Sequence, residues 1–170
     1  MDVKLFSDLE GIRIGMSIEA RGRDFYQQAY EQSTEKDHKE LFNLLKNEEV
    51  AHFEKFSEIF RQVNENREAG SDEYLFDEES SRYLTVLADG YIFPTDKNAA
   101  AKIVESTTVV EILYMAIQAE KDSILFYDEL ANKSKFEEAK KIFAVLKAEE
   151  QTHVVKLRQI LDALEIINNK

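Results

Sequence analysis

The chain has 170 residues, a formal net charge of −12 and no cysteine. That length suits one cored domain over residues 1–170, and the acidity argues against nucleic-acid and anionic-membrane partners, both of which need basic patches. Without cysteine there is no disulfide, thiolate nucleophile or iron–sulfur site, so any metal must be held by oxygen and nitrogen. The opening MDVKLFSDLE has no apolar run between a basic region and a cleavage site, and no later stretch approaches the roughly 20 apolar residues of a membrane span. A soluble, cytoplasmic protein is expected.

Ser7, with Glu10 three residues on, forms a capping pattern that opens the first helix, and apolar periodicity carries it to about Ser33. Its inward face reads Ile12, Gly15, Glu19, Gly22, Tyr26 and Ala29, spaced alternately three and four apart, so a carboxylate falls where a core residue belongs. After a polar turn from Ser33 to Lys36, the second helix presents Phe42, Leu45, Glu49, His52, Phe56, Ile59 and Val63 on one face and frays near Gly70 and Ser71. The segment from about 67 to 107 reads as a connection. Within it, Asp77 to Ala88 forms a short amphipathic helix with Tyr83, Leu84 and Leu87 inward, and Pro94 follows a break at Gly90.

A third long helix begins at a second capping pattern, Thr108 with Glu111, and its seam runs Val109, Leu113, Ala116, Glu120, Ser123, Tyr127 and Leu130. The fourth follows a turn in which Ser134 and Glu137 make a third capping pattern, and continues to about Ile167. Its seam is Phe143, Leu146, Glu150, His153, Leu157, Ile160 and Leu164. No strand-period segment or hairpin signal competes, so an all-α four-helix bundle is expected, built from hairpins at about 7–66 and 108–167.

A lone Glu-x-x-His is a weak metal signal, since residues three apart merely share one side of a helix. Glu35 and His38 show the same spacing in a polar turn. Duplication strengthens the other copies. Glu120, Tyr127, Glu150 and His153 stand 101 positions after Glu19, Tyr26, Glu49 and His52, and Thr108 and Glu111 stand at the same distance from Ser7 and Glu10. Glu35 and His38 fail this test, because the corresponding residues are Phe136 and Ala139.

Glu19 and Glu49 lie symmetrically about Thr34, and Glu120 and Glu150 about Lys135. Each hairpin therefore returns its second glutamate to the level of its first. If the hairpins face each other about a pseudo-twofold axis, Glu19, Glu49, His52, Glu120, Glu150 and His153 converge at mid-bundle. A bundle with the second and third long helices parallel needs a return of roughly 43 Å at 1.5 Å per residue, which the linking segment can span.

A blander reading leaves the glutamates exposed and the histidines as ordinary polar core groups. Burial magnitudes and the duplication speak against it. Each uncompensated buried carboxylate costs several kcal/mol, so four would rival the roughly 5–15 kcal/mol stability of a whole domain. Two divalent ions balance four carboxylates, with neutral imidazoles completing the set. Tyr26 and Tyr127 lie seven residues beyond Glu19 and Glu120 on the same seams. There each hydroxyl can bond a metal-bound carboxylate of the other hairpin or be satisfied elsewhere. Gly15 and Gly22 flank Glu19, and either space for a small oxidant or close helix packing explains them.

Glu19 with Phe25-Tyr26, Glu48-Glu49-Val50-Ala51-His52, Glu120-Lys121-Asp122-Ser123-Ile124-Leu125-Phe126-Tyr127 and Glu149-Glu150-Gln151-Thr152-His153 together resemble the rubrerythrin-like branch of the ferritin-like di-iron carboxylate proteins. The resemblance implies a ferritin-like bundle with a long crossover after its second helix. It also implies two iron ions, with manganese or a mixed pair as alternatives. Glu49 and Glu150 would bridge them, Glu19 and Glu120 would be terminal ligands, and His52 and His153 would each bind one ion. Rubrerythrins proper carry a further glutamate one turn after the third-helix ligand, where this chain has Ser123, and a four-cysteine iron domain that this chain lacks. A dinuclear-metal oxidoreductase acting on hydrogen peroxide or dioxygen is therefore expected, served by a separate electron-donor protein. A homodimer is compatible with this reading. A ferroxidase or iron-handling protein, and a metal-stabilised scaffold without turnover, are the alternatives.

Overall fold

The computed structural model describes residues 4–66, 75–89, 92–93, 103, 105 and 107–170. Caps and apolar stripes divide them into α1 (Asp8–Gln32), α2 (Lys36–Asn66), α3 (Glu78–Asp89), α4 (Val109–Lys133) and α5 (Glu137–Asn168). At the start of α1 the Ser7 hydroxyl accepts the Glu10 N–H at 3.3 Å, while the Glu10 carboxylate takes the Lys4 ammonium at 2.7 Å. The full reciprocal box forms at α4. There Thr108 Oγ1 accepts the Glu111 N–H at 3.2 Å, and Glu111 Oε2 accepts the Thr108 N–H at 2.7 Å. These bonds satisfy amides that a helix leaves unpaired in its first turn.

The third expected cap is not made. Phe136 stands at the N-cap of α5 without a side-chain cap bond, and Ser134 instead ends α4. The Ser134 hydroxyl donates to the buried carboxylate of Asp8, which also accepts the Lys135 N–H at 3.0 Å. A charged acceptor from the far end of the chain outcompetes the local pattern, because bonds to ionised groups are the stronger ones.

The α1–α2 and α4–α5 hairpins are the closest-packed pairs; α2 against α5 and α1 against α4 close the bundle, and α3 lies on α4. Reciprocal contacts fix the directions. Tyr26 pairs with Glu120 and Tyr127 with Glu19, so α1 and α4 run antiparallel. Lys55 meets Glu149 and Lys156 meets Glu48, so α2 and α5 do too. With α1 and α2 joined as a hairpin, α2 and α4 must be parallel, and the chain between them crosses back along the bundle. This is the ferritin-like, all-α four-helix arrangement, with α3 as a helical segment of the crossover.

In α3 the buried side is Ser80, Ser81 and Leu84, with Leu87 half-buried. Tyr83, expected inward, is 41% exposed. It sits roughly 100° around the helix from Leu84, too far to share that face. The expected fraying at Gly70 and Ser71 and the break at Gly90 and Pro94 lie outside the described residues. None of the described helices is long and apolar enough to cross a membrane.

Two helical glycines make room for rings. A Cβ on Gly15 would lie 2.8 Å from Phe56 Cζ, and one on Gly22 would lie 2.9 Å from Phe93 Cε2 and 3.3 Å from Glu49 Cδ. Phe93 comes from the crossover and has φ of 60°, a left-handed conformation that a bulky residue adopts only where packing holds it. Its ring is buried against Phe25 and Tyr26, at centroid distances of 5.6 and 5.7 Å.

Burial pushes the Asp8 carboxyl above its usual range, against the bonds from Ser134 and Lys135 that favour its charged form. Replacing Asp8 with alanine strands the Lys135 amide and leaves the Ser134 hydroxyl only the Phe136 carbonyl, at 3.3 Å. Urea unfolding of Asp8→Ala should show a loss of about 1–3 kcal/mol, whereas Lys4→Ala, which breaks a surface pair, should lose at most about 1 kcal/mol.

Candidate metal centre

Helical periodicity delivers six polar side chains to one level of the bundle: Glu19 from α1, Glu49 and His52 from α2, Glu120 from α4, and Glu150 and His153 from α5. None is more than 2% exposed. His52 Nδ1 lies 3.2 Å from Glu19 Oε2, 3.8 Å from Glu49 Oε2 and 3.0 Å from Glu150 Oε1. His153 Nδ1 lies 3.3 Å from Glu120 Oε1, 3.4 Å from Glu49 Oε1 and 2.7 Å from Glu150 Oε2. Two groups able to hold a cation result, Glu19, Glu49, His52 and Glu150, and Glu49, Glu120, Glu150 and His153, each with its donor atoms within 4.8 Å of one another. Glu49 and Glu150 belong to both. The imidazole rings stack nearly parallel, 5.4 Å apart.

The tyrosines lie immediately outside. Tyr26 donates its hydroxyl to Glu120 Oε1 and Tyr127 donates to Glu19 Oε1, each across to the opposite hairpin. Three further contacts at the centre were not singled out from the sequence. Glu149 Oε2 lies 2.7 Å from His52 Nε2, and Glu48 Oε2 lies 2.8 Å from His153 Nε2. Their signal was present, because Glu48 and Glu149 keep the same 101-residue interval as the other site residues. Phe93, which caps Gly22 beside Glu49, gave no sequence signal. Glu35 is exposed and His38 only half-buried, and neither joins a metal-holding group among the described residues.

Burial and mutual contacts shift the protonation of these groups. Burial works against charge on His52, but the carboxylates of Glu150, Glu19 and Glu49 raise it well above the usual imidazole range. His153 is raised against the same burial penalty by Glu120, Glu150 and Glu49. Burial, followed by repulsion from Glu150, lifts Glu49 well above a normal carboxyl and lifts Glu120 to about 8. Glu150 is the exception: burial opposes its ionisation, yet contacts with His153 and His52 hold it at about 2.

Three buried oxygens, Glu49 Oε1, Glu120 Oε2 and Glu150 Oε2, have no hydrogen-bond partner, although Glu150 Oε2 touches His153 Nδ1. Buried carboxyl oxygens without a hydrogen-bond partner are unfavourable in a protein-only core, and they are donors that divalent cations take. The donors, carboxylate oxygen and imidazole nitrogen, suit iron or manganese.

A model of the rubrerythrin family matches residues 111–169, most of the second hairpin. A Thermotoga maritima protein, provisionally described as a ferritin-like diiron-carboxylate protein, shares 23% identity and a TM-score of 0.67, over 93% of this chain and 96% of its own. A hypothetical protein from Pyrococcus furiosus shares 23% identity and a TM-score of 0.68, over 94% of this chain and 90% of its own. No curated protein matches. The two structures, at this identity, speak for the fold. The family match covers less than half of the chain and makes its second hairpin similar to rubrerythrins, and the two Glu/His groups sharing Glu49 and Glu150 are able to hold metal ions.

Cations must displace the protons described above, so metal affinity should rise with pH. The raised groups act in one direction. Glu120 favours the metal-free fold fully below its unfolded value of 4.5, and that contribution is lost as pH rises through about 8. Glu49 and both histidines have the same sign. Glu150 has the opposite sign, but its contribution is lost only as pH falls toward about 2, outside this window. The melting temperature of metal-loaded protein minus that of metal-free protein should therefore widen from about pH 4.5 to about pH 8, as measured by scanning calorimetry.

Proposed function

We propose that this chain, acting over residues 1–170 as a single ferritin-like unit, is a di-iron oxidoreductase that reduces hydrogen peroxide or dioxygen with electrons from a separate donor protein. The observation that carries this reading is that Glu49 and Glu150 are each common to two buried four-residue groups. In it Glu49 and Glu150 would hold both ions, Glu19 and Glu120 would be terminal ligands, and His52 and His153 would each hold one ion. Bound as a ferrous pair, the metal would supply two electrons and adjacent Lewis-acid centres for an O–O bond.

The remaining residues hold and shield the centre. Tyr26 and Tyr127 orient the terminal carboxylates, and burial, with repulsion from Glu120 and Glu19 respectively, raises both phenols above their usual range, so they remain donors. Phe42, Phe93 and Phe56 surround these tyrosines and exclude water. Over the histidines opens a cavity of about 210 Å³, lined by Glu48, His52, Lys55, Glu149, His153 and Lys156 among others. It supports a small oxidant rather than a bulky substrate. The absence of cysteine leaves no thiolate-bound electron relay in the chain, which supports a separate donor, and a cytoplasmic location suits such a partner. A homodimer is the assembly to test for, by sedimentation.

A second reading, a ferroxidase, draws on Ser123. Where rubrerythrins proper have an additional glutamate, this hydroxyl is buried and donates to the Ala119 carbonyl of its own helix at 3.0 Å. The four-Glu, two-His set is then symmetric. Stopped-flow mixing separates the readings. Rapid oxidation of the di-ferrous protein by peroxide supports the reductase, whereas dioxygen-driven oxidation of many ferrous ions per chain supports the ferroxidase. Inertness to both, together with bound metal, would leave a scaffold.

The ligand assignment has its own test. Glu150→Ala removes a bridge and should lower bound iron below two ions per chain by elemental analysis, and full retention would contradict the assignment.

A further inference from the structure

Gly22 lies one turn after Glu19 on the inward seam of α1, so a side chain there would stand at the centre. A Cβ on it would be 3.3 Å from Glu49 Cδ and 2.9 Å from Phe93 Cε2. The glycine leaves a slot beside Glu49, and the crossover fills it. The Phe93 ring is buried, packs on Phe25 and stands edge-on to Tyr26, whose hydroxyl donates to Glu120. One apolar ring thereby flanks both Glu49 and the tyrosine that holds Glu120.

Two features set this placement apart from ordinary core filling. Phe93 is the one non-glycine residue with positive φ among the described residues, a conformation that persists only where the surroundings over-determine it. The repeat also shows a simpler solution. On α4 the position equivalent to Gly22 is Ser123, so that helix brings its own buried side chain, bonded to the Ala119 carbonyl. The hairpin occurs twice but the crossover once, and Phe93 has no counterpart in the second copy.

We propose that Phe93 is a specificity-determining residue. Its ring occupies the slot beside Glu49 that the organic group of an alkyl or aryl hydroperoxide would need, and so confines the centre to the smallest oxidants. This deepens the di-iron reading and rests on it. A hydroperoxide takes two electrons from the ferrous pair and two protons from water. Its O–O bond breaks, and an alcohol and a water leave, or two waters where the oxidant is hydrogen peroxide. That chemistry is common to the whole class, so discrimination lies in the room left for the organic group.

The test mixes di-ferrous protein with hydrogen peroxide, tert-butyl hydroperoxide or cumene hydroperoxide in stopped flow. Wild-type rate constants should fall with the size of the oxidant. Phe93→Ala should narrow the ratio between hydrogen peroxide and cumene hydroperoxide by about 10–200-fold, with Phe93→Leu in between. Removing a ring that merely packs the core would instead change all the rate constants by a common factor. A second readout needs no metal. An apolar void takes up benzene, so benzene should raise the melting temperature of metal-free Phe93→Ala and leave that of the wild type unmoved. If the alanine variant fails to fold by circular dichroism, the wild-type series and Phe93→Leu carry the test. Wild-type protein that reacts equally fast with all the oxidants, or variants with an unchanged ratio, overturns the proposal while leaving the di-iron reading intact. Folded Phe93→Ala that gains nothing from benzene, or wild type that gains as much, overturns the slot. Di-ferrous protein inert to every oxidant in the series overturns both readings.

Discussion

Four carboxylates withdrawn from water inside one bundle are the constraint on which the rest of this structure depends. Glu19, Glu49, Glu120 and Glu150 occupy positions on apolar seams, and the desolvation of so much negative charge is comparable to the whole stability of an ordinary domain. The side chains around them supply only part of the compensation. Two imidazoles face inward and two phenols donate from the opposite hairpins, yet three carboxylate oxygens stay without a hydrogen-bond partner. Burial and repulsion raise Glu49 and Glu120, which favours their uncharged forms and eases that burden. Divalent cations would take over that task, so fold stability and metal affinity are two views of one electrostatic balance.

Pseudo-twofold symmetry makes the balance achievable from a duplicated hairpin. Each copy contributes one glutamate from its first helix and a Glu-x-x-His from its second. Because α1 faces α4 antiparallel and α2 faces α5 antiparallel, polar contacts that support the centre cross between copies, from Tyr26 to Glu120, from Tyr127 to Glu19, and from the lysines to Glu149 and Glu48. Neither hairpin completes the centre alone. The symmetry is not complete around it. Gly22 accommodates the Phe93 ring beside Glu49, whereas its counterpart Ser123 carries a hydroxyl bonded to its own helix.

The departures from sequence expectation share a cause. Ser134 and Glu137 have the spacing of a cap, but the Ser134 hydroxyl is taken by Asp8, 126 residues away in sequence. Tyr83 looked inward by composition, yet the packing of α3 on α4 settled on Leu84 and the small residues before it. Gly15 and Gly22 could have meant empty space, and both turned out to face phenylalanine rings, one of them delivered by the crossover. In the first two cases a local pattern was overruled by a partner that local patterns cannot name, and in the third such a partner decided for close packing.

The four long helices, their seams and the six inward polar residues were legible in the order of amino acids. Helical periodicity is a local property, and the 101-residue interval repeats it twice. Tertiary structure alone decided which hairpin each supporting side chain serves. It turned Glu48 and Glu149 toward the histidines, set Phe93 against Gly22 and spent Ser134 on Asp8. Those outcomes depend on the relative rotation and direction of helices distant in sequence, which packing fixes and spacing along one helix does not encode.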